Sequence, residues 1–422
     1  MSEAAMNTAP AKREHKLNYT GRFGQVIIYL GKLLRGFVYQ SDWKVLPMAA
    51  LIAGVVSMVV HRDFFITMEG TLKGALALTC LSIWNGCFNS IQVVCREREI
   101  IKREHRSGLH ISAYIFSHMI YQALLCLLQT IITLFVCSQT GVKFPTEGLF
   151  SNWMVVDLGI TIFLITYASD MLSLWISCLT RSTTTAMTVM PFVLIFQLVF
   201  SGGIFTLPDW ANRIAFLSIS NYGMKCIAAQ SNYNGRDLVS GWNSLDKVKD
   251  KEISGTITLG EVMDFLTTNE SPLVRDLRAT EVRVPSAKEN AAFLAGLTNR
   301  DQLPGINEIL GLIQPSETDD SAPEETVSFG KLIDTMADTE YIQSQRGQSY
   351  TYHTTIDELM SIYGKEKLKT DIIRTTSTAS RVEAYRYGRR NIGIYWVRIS
   401  LYIVLYSCLS VLFLEFVDKD KR

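Results

Sequence analysis

The chain has 422 residues, 48% hydrophobic and 19% charged, with a formal net charge of +1. This balance gives no electrostatic reason to bind nucleic acid, and the eight cysteines form no CxxC or Cys/His cluster at zinc spacing. The apolar residues are bunched into runs of roughly 20, the length a helix needs to cross a bilayer core of ~30 Å, which argues against a soluble globule.

Residues 1–22 carry a basic cluster but no apolar core, so they are expected to be a cytoplasmic tail and not a signal peptide. In residues 23–42, Phe23, Val26, Ile27, Leu30, Leu33, Leu34, Phe37 and Val38 recur at helical spacing, with Lys32 and Arg35 off the stripe. That pattern predicts an amphipathic connecting helix lying on the cytoplasmic leaflet. Six membrane spans are predicted, at 45–61, 72–95, 111–137, 154–178, 183–206 and 392–416. Lys12, Arg13, Lys16, Arg22, Lys32, Arg35 and Lys44 precede the first span and place the N-terminus in the cytoplasm. An even number of spans returns the C-terminal "DKDKR" to the same side.

After span five the pattern changes. Gly202–Gly203 and a break at Pro208 lead into a half-apolar helix over 213–230, too short and polar to cross and therefore re-entrant. Residues 232–390 are polar, with helical patterns in "TLGEVMDFLTT", "AKENAAFLAGLT", "INEILGLI", "FGKLIDTMA" and "TIDELMSIYGKEKL" and an acidic linker, "QPSETDDSAPEETVS" (314–328). The expectation is an all-α integral membrane protein with a large, mainly α-helical inserted domain. Residues 43–231 form spans one to five with the re-entrant helix, 232–390 the insert, and 391–422 span six with a cytoplasmic tail. Span parity puts the insert outside, although Arg381, Arg386, Arg389 and Arg390 beside the last span run against the positive-inside rule. With Cys226 as its one cysteine, the large outer segment between spans five and six cannot build an internal disulfide framework, which favours a bacterial cytoplasmic membrane.

"CREREIIKREHRSGLH" (95–110) places eight charges within eleven residues between two apolar blocks. Glu99 precedes Arg103 by four residues, the favourable order for a helical ion pair. Span two is expected to continue out of the membrane as a helix and turn at Ser107–Gly108. A plain turn needs far fewer residues, so a helix over 96–108 reads as a docking surface, with Ile100 and Ile101 as its apolar patch.

"REREIIKREHRSGLHISAYIFSHMI" resembles the loop after the second span of ABC exporter permeases of the G-subfamily type, including the pleiotropic-drug and sterol exporters. Glu97, Arg98, Arg103, Glu104, Gly108 and Ser112-Ala113-Tyr114 match, and Ile101 stands where an aromatic is usual. Gly202, Gly203, Pro208, Trp210, Ser220 and Tyr222 resemble the same family's segment after span five, with Asn221 replacing a usual proline. The resemblance covers 23–235 and 392–416. It implies that ATPase closure reaches the spans through the loop helix, with Glu97, Arg98, Ile100, Ile101, Arg103, Glu104 and Gly108 as coupling residues. It also implies a dimer cavity lined by spans two and five, making Asn85, Asn89, Met190, Leu194, Gln197 and Phe200 candidate substrate contacts.

The chain has no G-x-x-x-x-G-K-[ST] segment. It is therefore expected to bind no cofactor itself, with ATP and Mg²⁺ held by a separate ABC ATPase. Six spans make half a transporter in this family, so a second copy is expected, most simply as a homodimer. The other partner is membrane lipid.

Asp170, within span four, is expected to make a structural pair or to line the pathway; Asp157 is expected to be interfacial. Asn85, Asn89 and Gln92 share a face of span two, and with Gln129 and Gln197 they suit interhelical hydrogen bonds. No histidine pair, G-x-S-x-G or other catalytic constellation is present, so no enzyme or metal site is expected. The expected function is a permease subunit that moves an amphipathic or lipidic substrate outward. The alternative is an ABC-type mechanotransmission complex that moves 232–390 to regulate an envelope partner.

Overall fold

A computed structural model describes residues 20–39, 42–60, 63–145, 147–203, 208–268, 272–283 and 326–415. It divides into a helical unit, Met1–Ser240 with Ile373–Arg422, and an inserted unit, Gly241–Ile372.

The helical unit begins with α1 (Arg22–Tyr39), α2 (Val45–Val60), α3 (Met68–Ser90), α4 (Val93–Arg106), α5 (Ile111–Gln139), α6 (Met154–Leu179), α7 (Thr183–Val199), α8 (Asp209–Ile214) and α9 (Ile219–Gln230). Hydroxyl caps set several starts. The Thr67 side chain accepts from Gly70 N–H at 3.1 Å, and that of Ser182 from Thr185 N–H at 3.2 Å. Two expectations are corrected. The second predicted span is not one rod, because the helix stops at Ser90 and restarts at Val93. The segment predicted as one helix over 213–230 is two, α8 and α9, separated by the 3₁₀ turn Ala215–Leu217.

The inserted elements follow: α10 (Ser240–Lys247), β1 (Glu252–Thr258), α11 (Leu259–Thr268), α12 (Pro272–Arg278), β2 (Glu281–Arg283), β3 (Thr326–Ser328), α13 (Phe329–Asp338), α14 (Glu340–Gln345), β4 (Ser349–Thr355), α15 (Ile356–Tyr363) and α16 (Lys365–Ala379). β1 pairs antiparallel with β4, from Glu252↔Thr355 to Thr258↔Ser349, and β2 pairs with β3. The all-α expectation is thus corrected here. "EISGTIT" and "SYTYHTT" are rich in β-branched and aromatic residues, which suit paired strands. The helical patterns at 287–298 and 306–313, and most of the acidic linker, lie outside the described residues.

Three strand-to-helix junctions use the same chemistry. Thr258, Ser328 and Thr355 end a strand and accept from the N–H three residues on, at 3.2, 3.4 and 3.2 Å. Thr258 and Thr355 complete capping boxes with Glu261 and Glu358. The first two junctions belong to an internal repeat, "TITLGEVMDFL" (256–266) and "TVSFGKLIDTM" (326–336). Its halves are locked reciprocally: Arg278 makes a bidentate pair with Asp334 at 2.8 and 2.6 Å, and Arg346 pairs with Asp264.

The chain re-enters the helical unit and ends in α17 (Arg389–Glu415). The two connections that flank the inserted unit are zipped together within the helical unit. The Asn234 side chain exchanges two hydrogen bonds with the Val382 backbone at 2.9 and 3.0 Å, and Leu238 N–H donates to Ser377 at 2.7 Å. α6 sits at the centre, against α3, α5, α9 and α17. Gly86 lets α3 approach α6 closely, since a Cβ there would lie 2.1 Å from the Thr166 carbonyl oxygen. α5, α6 and α17 are long and apolar enough to cross a membrane; α2 and α7 are apolar but shorter.

Candidate functional site

The charged stretch between the second and third apolar blocks forms α4, tied to its neighbours along its length. At its start, Ser177 of α6 accepts from Val94 N–H and Cys95 N–H at 3.1 and 3.2 Å, occupying two amides of the first turn that no earlier carbonyl can reach. In its middle, buried Arg98 donates to the carbonyls of Cys178 and Thr180 at 3.1 and 2.9 Å. A guanidinium at the C-terminal end of α6 satisfies carbonyls left open there and complements the helix dipole.

The end of α4 is a glycine stop. Gly108 has φ 104°, its N–H reaches the His105 carbonyl at 3.1 Å, and Leu109 N–H reaches the Glu104 carbonyl at 3.0 Å. This is the Schellman arrangement, and it requires a residue tolerant of positive φ. The side chain of Gln25, from α1, then spans the turn. Its amide nitrogen donates to the Gly108 carbonyl at 3.0 Å and its oxygen accepts from His110 N–H at 2.9 Å.

The seven residues expected to couple divide into two groups. Ile101 is buried in the core, and Arg98 is turned inward. The apolar patch presented outward is therefore Ile100 alone, at 41% exposed, flanked by exposed Glu99 and Arg103. Glu99 pairs with Lys102 at 3.3 Å. Glu97 accepts from the hydroxyl of Tyr114 on α5 at 3.3 Å, and the Tyr114 ring stands edge-on to Tyr29 of α1. Glu104 is half-buried, with Oε2 lacking a hydrogen-bond partner among the described residues, and burial raises its carboxyl pKa.

Asp170 is fully buried, accepting from Ser90 of α3 and from Cys126 of α5. Beside it, Asn89 and Gln129 exchange amide hydrogen bonds at 2.9 and 3.0 Å. Asp157 is also buried, and its carboxylate accepts from the N–H groups of Leu149, Phe150 and Ser151 at 2.7, 2.8 and 3.0 Å. Both carboxylates thus fasten structure: Asp170 joins three helices, and Asp157 holds the loop ahead of α6.

The six candidate cavity residues are not brought to one cavity within this chain. Asn85 and Met190 are buried, Leu194 packs against the core, and Phe200 lies on Phe196. The side-chain oxygen of Gln197 accepts from Ser218 Oγ and Ser220 N–H at 3.0 and 3.1 Å, stitching α7 to the start of α9. Asn89 borders a cavity walled mainly by α1, α3, α4 and α5, with Val45 of α2 and Met187 of α7. Sequence reasoning passed over Gln25, Ser177, His118 and Gln122; the last two are separated by one helical turn, a spacing visible in the sequence.

No curated protein matches the chain. The family model described as ABC-2 type transporter matches residues 9–230, just over half of the 422. That match ends with α9, before the insert. With helices long and apolar enough to span a bilayer, and the match across α1–α9, the chain belongs to the ABC-2 type transporter family and is a membrane component of an ABC transporter.

Proposed function

We propose that this chain is the permease subunit of an ATP-driven exporter of the G-subfamily type, with α2, α3, α5, α6, α7 and α17 as its six spans and both termini cytoplasmic. A separate ATPase docks on α4, and two permease copies complete the transporter. The substrate is amphipathic or lipidic and moves outward.

The observation that carries this reading is the anchoring of α4. A surface helix meant only to turn the chain needs no ties to three neighbours. One tied to α6 through Ser177 and Arg98, and bracketed by Gln25 of α1, transmits a push on its exposed face to the bundle as a rigid lever. The exposed Glu99, Ile100 and Arg103 supply the charged and apolar contacts for a partner. The test is co-expression with the cognate ATPase, followed by ATP hydrolysis and transport in proteoliposomes. Hydrolysis responsive to the permease supports the reading; a chain that conducts substrate without any ATPase overturns it.

A second reading keeps the ATPase but replaces export with mechanical regulation of an envelope partner by the insert. It is favoured by one observation: Gly241–Ile372 is a compact unit of its own, and the family match stops short of it. Transport that survives deletion of 241–372 argues against it.

A further inference from the structure

We propose that the cavity between α1, α3, α4 and α5 binds a phospholipid through its phosphate ester. The cavity holds about 280 Å³ and is lined by polar and cationic side chains together with apolar ones. On α5, His118 and Gln122 lie one turn apart and each is 1% exposed. Both ring nitrogens of His118 and Oε1 of Gln122 lack a hydrogen-bond partner among the described residues. Buried polar atoms are nearly always paired, so three orphans on two residues that line one cavity mark a place where an outside group completes the bonding.

Charge identifies that group. Lys32, over the Tyr29 ring, and Arg96 border the cavity, and neither has a carboxylate partner among the described residues. The one carboxylate at the wall, Glu97, already accepts from Tyr114. Two cations against that one carboxylate leave the wall with an excess of positive charge, and a phosphate ester offers the oxygens that such donors bind best. Gln122 Oε1 needs a donor, which a headgroup or glycerol hydroxyl supplies. Phe88 and Met187, both partly exposed at the rim, give an acyl chain an apolar way out. A bare phosphate would leave the apolar lining residues without contact.

The inference deepens the transport reading by naming a ligand class, and it rests on that reading only for the membrane setting. Binding is measured without ATP, so failure to bind and failure to transport are separate results.

The test is calorimetric titration of the purified full chain in detergent with dioctanoyl phosphatidate, dioctanoylglycerol and inorganic phosphate. The expected result is saturable binding of phosphatidate, no binding of dioctanoylglycerol and much weaker binding of phosphate. Combined Lys32→Gln and Arg96→Gln, both on exposed side chains, is expected to weaken phosphatidate binding about tenfold or more. His118→Phe is expected to weaken it as well, with an unfolding midpoint recorded beside each variant. Equal affinity for dioctanoylglycerol, equal affinity for phosphate alone, or unchanged affinity in the folded double variant overturns the proposal.

Discussion

Arg98 of α4 donates to the carbonyl of Thr180, just past the end of α6, at 2.9 Å, so this densely charged stretch spends one of its charges inward. That contact separates holding residues from presenting residues. Arg98→Ala is expected to lower permease stability by roughly 1.5–3 kcal/mol, the range for a hydrogen bond to a charged donor. Arg103→Ala, on the exposed face, is expected to stay within about 0.5 kcal/mol of the parent. Thermal unfolding in detergent checks both.

Gly108 is a second holding position. Its φ of 104° means that Gly108→Ala strains the backbone at the stop of α4. A cost of about 1 kcal/mol or more is expected, together with faster hydrogen exchange at Leu109 and His110. Unchanged exchange there would contradict the role given to the turn.

Gly86 is a close approach between α3 and α6, with the Thr166 carbonyl where a side chain would begin. Gly86→Ala is expected to destabilise by about 1–3 kcal/mol through overpacking. Gly393, with nothing near its Cβ position, provides the control: Gly393→Ala is expected to be neutral or slightly stabilising.

Glu104 gives a pH dependence with a definite sign. Burial raises its carboxyl pKa above the ordinary value of 4.5, so the fold favours the protonated form. Its contribution is fully present below the unfolded pKa and is lost as pH rises through the raised folded pKa. Glu104→Gln is expected to flatten this part of the stability profile, as read by unfolding midpoints across the acidic range.

In the insert, a double-mutant cycle on Arg278 and Asp334 is expected to give a coupling of about 0.5–1 kcal/mol, because the pair is bidentate but partly exposed. A coupling of zero would mean that the two halves of the repeat hold together without it.

The six apolar blocks were legible as helices because their composition and length speak locally, and α1 was legible from its stripe. The break at 91–92 was not, because it answers to Ser177, more than eighty residues away in sequence. The direction of Ile101 is tertiary too: adjacent isoleucines look equivalent until the helix is seated on α5 and α6. β1 and β4 were hidden by distance, since each waits for a partner across the insert, and the helical patterns beside them drew the reading. The repeat around Gly260 and Gly330 was present in the letters, and its meaning came only with the reciprocal Arg–Asp pairs.

The central claim is that α4 presents its exposed face to an ATPase and passes the force inward. The most direct measurement is substrate-stimulated ATP hydrolysis by the reconstituted complex carrying Ile100→Asp and Arg103→Glu together, with the unfolding midpoint of the permease measured alongside. The expected result is an unchanged midpoint and loss of stimulated hydrolysis. Full stimulation in the folded double variant would contradict the claim.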